Sequence, residues 1–158
     1  MEPDLFADVA GILPSLLPPG VGRAHQRAHR YGVKVWFGGE EPNRDHYEAQ
    51  VVGARDVPGA TVLALEVGFH AEQPKEAANE ATLAALVAGR KAWAKVLGDE
   101  ATAGPFLGRA TKWRRLSETW IDPDLSVDDL AFEIAARLAD YITALEPLRR
   151  AAVAGSDA

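Results

Sequence analysis

Residues 61–72 read Thr-Val-Leu-Ala-Leu-Glu-Val-Gly-Phe-His-Ala-Glu, and this stretch limits the possible folds more than any other. Side chains alternate between the two faces of a β-strand, so the pattern predicts a strand whose faces differ. One face is apolar and carries Leu63, Leu65, Val67 and Phe69. The other face is polar and carries Glu66, His70 and Glu72, with Gly68 between them. The apolar face belongs in a core, and the polar face is either solvated or functional.

The hydrophobic pattern along the rest of the chain predicts an α+β protein. Amphipathic stripes predict helices over 3–17, over 75–97 and from Ser126 to Pro147. Alternation predicts further strands over 31–37, 45–53 and 110–120. Because successive strands are joined by short connections, we expect an antiparallel sheet of about four strands in α-β-β-β-α-β-α order, with helices packed on one face. Residues 1–150 then form a single domain, and residues 151–158 form a flexible C-terminal tail.

Composition narrows the classes of function. The chain of 158 residues contains no cysteine, which excludes disulfides, thiolate catalysis and cysteine-bound zinc. The first four residues are acidic rather than basic, unlike a secretory signal, and no apolar run is long enough for a membrane helix. We therefore expect a cytoplasmic protein without membrane association. A formal net charge of −6 argues against nucleic-acid binding, and the absence of nucleotide and phosphate motifs predicts no cofactor.

The polar faces of two predicted strands hold the main candidate site. If the strands over 45–53 and 61–72 pair, one polar surface carries His46, Glu48, Gln50, Glu66, His70 and Glu72. Two imidazoles and several carboxylates can bind zinc, manganese or iron, with His46, His70 and Glu72 as candidate ligands. The same groups can provide a catalytic pair, in which Glu66 is the general base and His70 the acid.

A simpler interpretation is that this polar surface is the solvated outside of the sheet, as is common for antiparallel sheets. Attraction across strands then explains the charges, with Lys34 near Glu48 and with Arg114 or Arg115 near Glu66. Gly68 favours a functional role slightly, because a glycine inside a strand often marks a bulge or the close approach of a ligand. The sequence leaves both interpretations open.

The segment over 21–30 is basic and contains His25 and His29. On a helix these two histidines share a face and can bind a metal, although no further ligand lies nearby in the sequence. On a strand they belong to one basic row. We interpret the segment as a solvated basic connector.

The tryptophans suggest a surface for a partner. Trp36 is expected on the polar face of the sheet, and Trp113 precedes the basic residues Arg114 and Arg115. Exposed aromatic side chains beside arginine are typical of protein interfaces. The predicted partner surface therefore combines Trp36, Glu48, Glu66, His70, Glu72, Trp113 and Arg115.

The order of elements is similar to that of the bacterial secretion-chaperone-like proteins, small α+β proteins that bind other polypeptides, often as dimers. This resemblance implies a non-enzymatic interaction domain that binds a protein partner and self-associates as a homodimer. The alternative is a metal- or small-ligand-binding enzyme that uses the polar His/Glu face of the sheet.

Overall fold

The computed structural model describes residues 4–39, 44–108 and 110–156, and these form a six-stranded antiparallel sheet and four α-helices. The strands are β1 (His25–His29), β2 (Gly32–Trp36), β3 (Asp45–Gly53), β4 (Leu63–Ala71), β5 (Thr102–Pro105) and β6 (Arg114–Ile121). The helices are α1 (Leu5–Ile12), α2 (Glu76–Ala88), α3 (Arg90–Leu97) and α4 (Leu130–Ser156), with short 3₁₀ turns at Leu13–Leu16 and Ala54–Asp56. The predicted α+β class and antiparallel sheet are confirmed.

The sheet has the strand order β1-β2-β3-β4-β6-β5. The prediction of about four strands is wrong, because it does not include the two edge strands β1 and β5. The segment over 21–30, predicted to be a solvated basic connector, contains β1. This strand pairs with β2, with His25 opposite Trp36 and His29 opposite Gly32. The other additional strand, β5, pairs with β6. Its sequence Thr-Ala-Gly-Pro has little intrinsic strand propensity, so the backbone edge of β6 determines its conformation.

Two helix boundaries differ from the predicted ones. The predicted helix over 75–97 is divided into α2 and α3 at Gly89, where a Cβ atom would lie 2.7 Å from the Leu148 side chain of α4. The last helix begins at Leu130 and continues through Pro147 to Ser156, beyond its expected end. Thr143 and Pro147 both lie on the exposed side of α4, where water can solvate the carbonyl that proline leaves unpaired. Among the described helices, none is long and apolar enough to cross a membrane.

The apolar face of the sheet packs against α1 and α4 and forms the core. Fully buried strand residues on this face are Val33, Val35, Ala49, Leu65, Val67, Phe69 and Leu116. Hydrogen bonds also tie this face to the helices: for example, Tyr47 of β3 donates to Glu146 of α4, and Gln26 of β1 donates to the Ala10 carbonyl. This packing leaves His46, Glu48, Glu66 and His70 on the opposite face, as the alternation in β3 and β4 predicts.

Candidate metal centre

Strands β3 and β4 each contribute one His-x-Glu unit to the polar face. The antiparallel register places His46 directly opposite His70 and Glu48 opposite Gly68. Glu72 follows the end of β4, and its backbone N–H donates to the Arg44 carbonyl beside the start of β3. The histidine pair therefore lies between two carboxylates, one from each strand.

Four ligand atoms meet at this point. His46 Nε2 lies 2.8 Å from Glu48 Oε1 and 3.3 Å from Glu72 Oε2. His70 Nδ1 lies 3.3 Å from Glu48 Oε1 and 3.2 Å from Glu72 Oε2, and the four atoms all lie within 4.8 Å of one another. The edge of a tetrahedron around zinc with bonds of about 2.0 Å is about 3.3 Å. The spacing thus suits a single ion bound by all four groups.

These four side chains are buried. The exposed fractions of His46, Glu48, His70 and Glu72 are 2%, 5%, 0% and 8%. The interpretation of a solvated outer face is therefore wrong for these residues. Buried carboxylates require a nearby positive charge, which either imidazolium groups or a bound cation can supply.

Aromatic side chains close one end of the cluster. The Phe106 ring, which follows β5, meets the His70 ring edge-on with 4.6 Å between centroids. Trp113 packs in turn on Phe106, with 5.2 Å between the ring centroids.

Trp36 lies elsewhere, on β2: it is 3% exposed, stacks on His25 and donates its indole N–H to the Gly39 carbonyl. The partner surface predicted from Trp36 and Trp113 thus consists of a buried and a half-buried ring.

The orientation of the His70 ring is the strongest indication of a metal site. His70 is fully buried, yet within the described part of the chain neither ring nitrogen has an aligned hydrogen-bond partner. The Glu48 and Glu72 oxygens lie close to Nδ1 but beside its bonding direction rather than along it. Oxygens and nitrogens that share a metal ion adopt this arrangement, because each points at the ion instead of at its neighbour.

The charges in the cluster shift one another's pKa values. Burial alone would raise the pKa of Glu72, but His46 and His70 lower it to about 2. Burial likewise opposes ionisation of Glu66, while His70 is the largest influence that brings its pKa down to about 2. For His70, burial lowers the pKa, but Glu66 and Glu48 raise it well above its ordinary value. The carboxylates are thus ionised at neutral pH, as metal ligands must be.

The remaining candidate residues lie around this centre. Glu66 contacts His70 from the side away from Glu48, with 3.0 Å between Glu66 Oε2 and His70 Nε2. Arg115 lies opposite His70 in the register and donates to Ser117 Oγ. Arg114 projects to the helix side, where it pairs with Glu76 and Glu80, so of the two arginines predicted near Glu66 only Arg115 lies on its face of the sheet.

Two neighbours of the centre were not found from the sequence. Ser117 lies on the same sheet face as Arg115, two residues earlier in β6, so the alternation of the strand could have placed Ser117 beside the centre. Phe106 lies in a loop without periodicity, and its position over His70 depends on the pairing of β5 with β6.

Comparison with protein-family models, with curated proteins and with solved structures finds no match for this chain.

Proposed function

We propose that this protein binds one divalent transition-metal ion, with zinc as the best fit, through His46, Glu48, His70 and Glu72. The observation that carries the proposal is the convergence of four ligand atoms from two paired strands within 4.8 Å of one another. The fully buried His70 ring without aligned hydrogen bonds points to the same place. Because the chain has no cysteine, imidazole and carboxylate are its only strong ligands for such an ion.

The mixture of ligands favours zinc over other common ions. Calcium and magnesium prefer six or more oxygen ligands, whereas half of these ligands are imidazole nitrogens. Zinc accepts two nitrogens and two oxygens in a tetrahedron.

The burial of all four ligands supports a structural role for the ion rather than a catalytic one. Four protein ligands fill a tetrahedral zinc site, whereas catalytic sites keep one position for water or substrate. An ion bound here links β3 to β4 at the middle of the sheet and neutralises carboxylates that would otherwise repel each other. The protein in this proposal is a zinc-stabilised α+β domain.

The test is a metal titration of protein first stripped with a chelator. We expect one equivalent of Zn²⁺ or Co²⁺ to bind, and the Co²⁺ form to show the intense visible absorption of tetrahedral cobalt. The four histidines offer a matched pair of variants, since His25 and His29 lie outside the cluster. The double variant His46→Gln/His70→Gln should lose binding, and His25→Gln/His29→Gln should keep it.

Equal affinity of these two double variants for Zn²⁺ would overturn the proposal. If His46→Gln/His70→Gln fails to fold, Glu72→Gln serves instead, because Glu72 is the most exposed of the four ligands.

Protein binding, self-association and a cytoplasmic location remain predictions from the sequence. For self-association, Trp113→Ala should change the oligomeric state measured by sedimentation, and an unchanged state would contradict that prediction.

A further inference from the structure

Glu66 is a buried carboxylate behind His70, outside the set of four proposed ligands. Its exposed fraction is 0%, and its Oε2 lies 3.0 Å from His70 Nε2, which is within hydrogen-bond distance although the ring is not aligned for the bond. We infer that Glu66 is a positioning residue: when a metal ion orients the His70 ring, Glu66 accepts the Nε2 proton and so keeps Nδ1 free to bind the metal. This inference rests on the proposed metal site and adds to it the residue that selects the ligand nitrogen.

The contact between Glu66 and His70 depends on the glycine between them. Residues four apart on one strand are separated by about 13 Å along its axis, and their side chains share a face. The position between them on that face is Gly68, which has no side chain to keep the two groups apart. His70 and Glu66 therefore reach each other with no side chain between them.

The Glu66 carboxylate is itself fixed by two donors from neighbouring strands. Gln50 of β3 donates its side-chain N–H to Oε1 at 2.9 Å, and Ser117 of β6 donates its hydroxyl to Oε2 at 2.7 Å. Arg115 in turn donates to the Ser117 hydroxyl at 2.8 Å, which leaves that oxygen's own proton directed to Glu66. Donors on both sides hold the carboxylate in place as an acceptor for His70.

The two ring nitrogens of His70 thereby acquire different roles. Nε2 faces only the Glu66 carboxylate among the ion-pair contacts of this ring, whereas Nδ1 faces both Glu48 and Glu72. A neutral imidazole has one N–H and one lone pair, so a proton on Nε2 leaves the Nδ1 lone pair directed at the four-ligand cluster. Metal-bound histidines commonly donate their second N–H to a carboxylate in this way, which also makes the ring a better ligand.

The first measurement is made on the Zn²⁺-loaded wild-type protein and needs no substitution. Long-range ¹H–¹⁵N NMR correlations of the His70 ring distinguish a protonated nitrogen from a metal-bound one. We expect protonated Nε2 and metal-bound Nδ1. The opposite assignment, with Nε2 on the metal, would overturn the inference while leaving the proposed metal site intact.

The second measurement compares Zn²⁺ affinity, by chelator competition, among variants of buried carboxylates. Glu66→Gln removes the charge behind His70 and should weaken binding by about 10- to 100-fold, whereas Glu66→Asp, which retains a carboxylate, should recover part of the loss. The matched control is Glu118→Gln on β6, since Glu118 is 4% exposed and faces the helix side. It should bind Zn²⁺ as the wild type does.

The outcomes separate this inference from the proposal on which it rests. No binding by the wild-type protein would overturn the proposed function itself. Wild-type binding together with an unchanged affinity of Glu66→Gln would overturn the role of Glu66 alone. An equal loss in Glu66→Gln and Glu118→Gln would do the same, because it would assign the effect to general destabilisation.

Discussion

On the helix side of the sheet, buried carboxylates are paired with arginines, whereas on the opposite face they are paired with histidines. Glu118 and Glu146 represent the helix side, with exposed fractions of 4% and 0%. Glu118 interacts with Arg137, Tyr141 and Trp120. Glu146 interacts with Arg149, Arg150 and Tyr47. These hydrogen bonds are between 2.7 and 3.0 Å long.

The difference between the two faces lies in the chemistry of the cation. An arginine side chain is always charged and carries five N–H donors, so it satisfies a buried carboxylate permanently. An imidazole can instead release its proton and use a nitrogen lone pair to bind a metal. The helix side is therefore complete without a ligand, while the histidine side can exchange protons for a metal ion. Buried charge by itself does not indicate a binding site, but the type of its partner does.

The largest expected effect is that of the metal on stability. Zn²⁺ at a thousand times its dissociation constant should raise the free energy of unfolding of the wild-type protein by about 4 kcal/mol. Chemical denaturation with Zn²⁺ and with excess chelator measures this difference. Glu146→Gln on the helix side should retain it, and Glu48→Gln on the histidine side should lose it. Equal stabilisation of these two variants would remove the distinction between the faces.

The next largest effect is expected for Gly68→Ala, which tests how the histidine side is built. Gly68 has a φ of +154°, and a Cβ atom there would lie 2.5 Å from both the Leu116 carbonyl oxygen and the Ser117 Cα. The strain and the clash together should lower the free energy of unfolding by about 3 kcal/mol. Gly104→Ala is the control, because nothing lies within 4 Å of its Cβ position. Similar denaturation midpoints for the two variants would contradict the close packing at Gly68.

A smaller effect is expected for Tyr47→Phe, which separates the two faces within one strand. Tyr47 lies between the ligands His46 and Glu48, but its hydroxyl donates to Glu146 on the helix side. Loss of this hydrogen bond should lower the free energy of unfolding by about 1 kcal/mol. The affinity for Zn²⁺, measured by chelator competition, should stay at the wild-type value. A weaker affinity would mean that the two faces are coupled through β3.

The smallest effect concerns Asp122, an exposed carboxylate held without any cation. Its carboxylate accepts backbone N–H groups of Val62, Thr61 and Leu63, and these hydrogen bonds lower its pKa to about 2 from 3.8. Because the folded pKa lies below the unfolded one, the stabilisation is present above pH 3.8 and is lost as the pH falls through about 2. Between pH 5 and pH 2, the wild type should therefore lose more stability than Asp122→Asn, as thermal denaturation can measure. A constant difference over that range would contradict this role.

Much of the fold could be predicted because alternation is a local property of the chain. The apolar and polar residues of β3 and β4 lie on the faces that the sequence predicts. The strand β5 was missed because Gly104 and Pro105 have low strand propensity, and it forms only where β6 offers an edge. Pro147 predicts an end of the last helix, but α4 continues to Ser156, and the ion pairs of Glu146 with Arg149 and Arg150 lie across that point.

The sequence by itself determined which side chains share the polar face, including both histidines and the glutamates around them. Only the tertiary structure decided that this face is buried, that Glu48 and Glu72 meet both rings, and that Glu66 lies behind His70. The physical reason is that alternation fixes the direction of a side chain relative to its own strand. Register, the close packing of β6 at Gly68 and the aromatic cover from Phe106 depend on strands that are distant in the sequence.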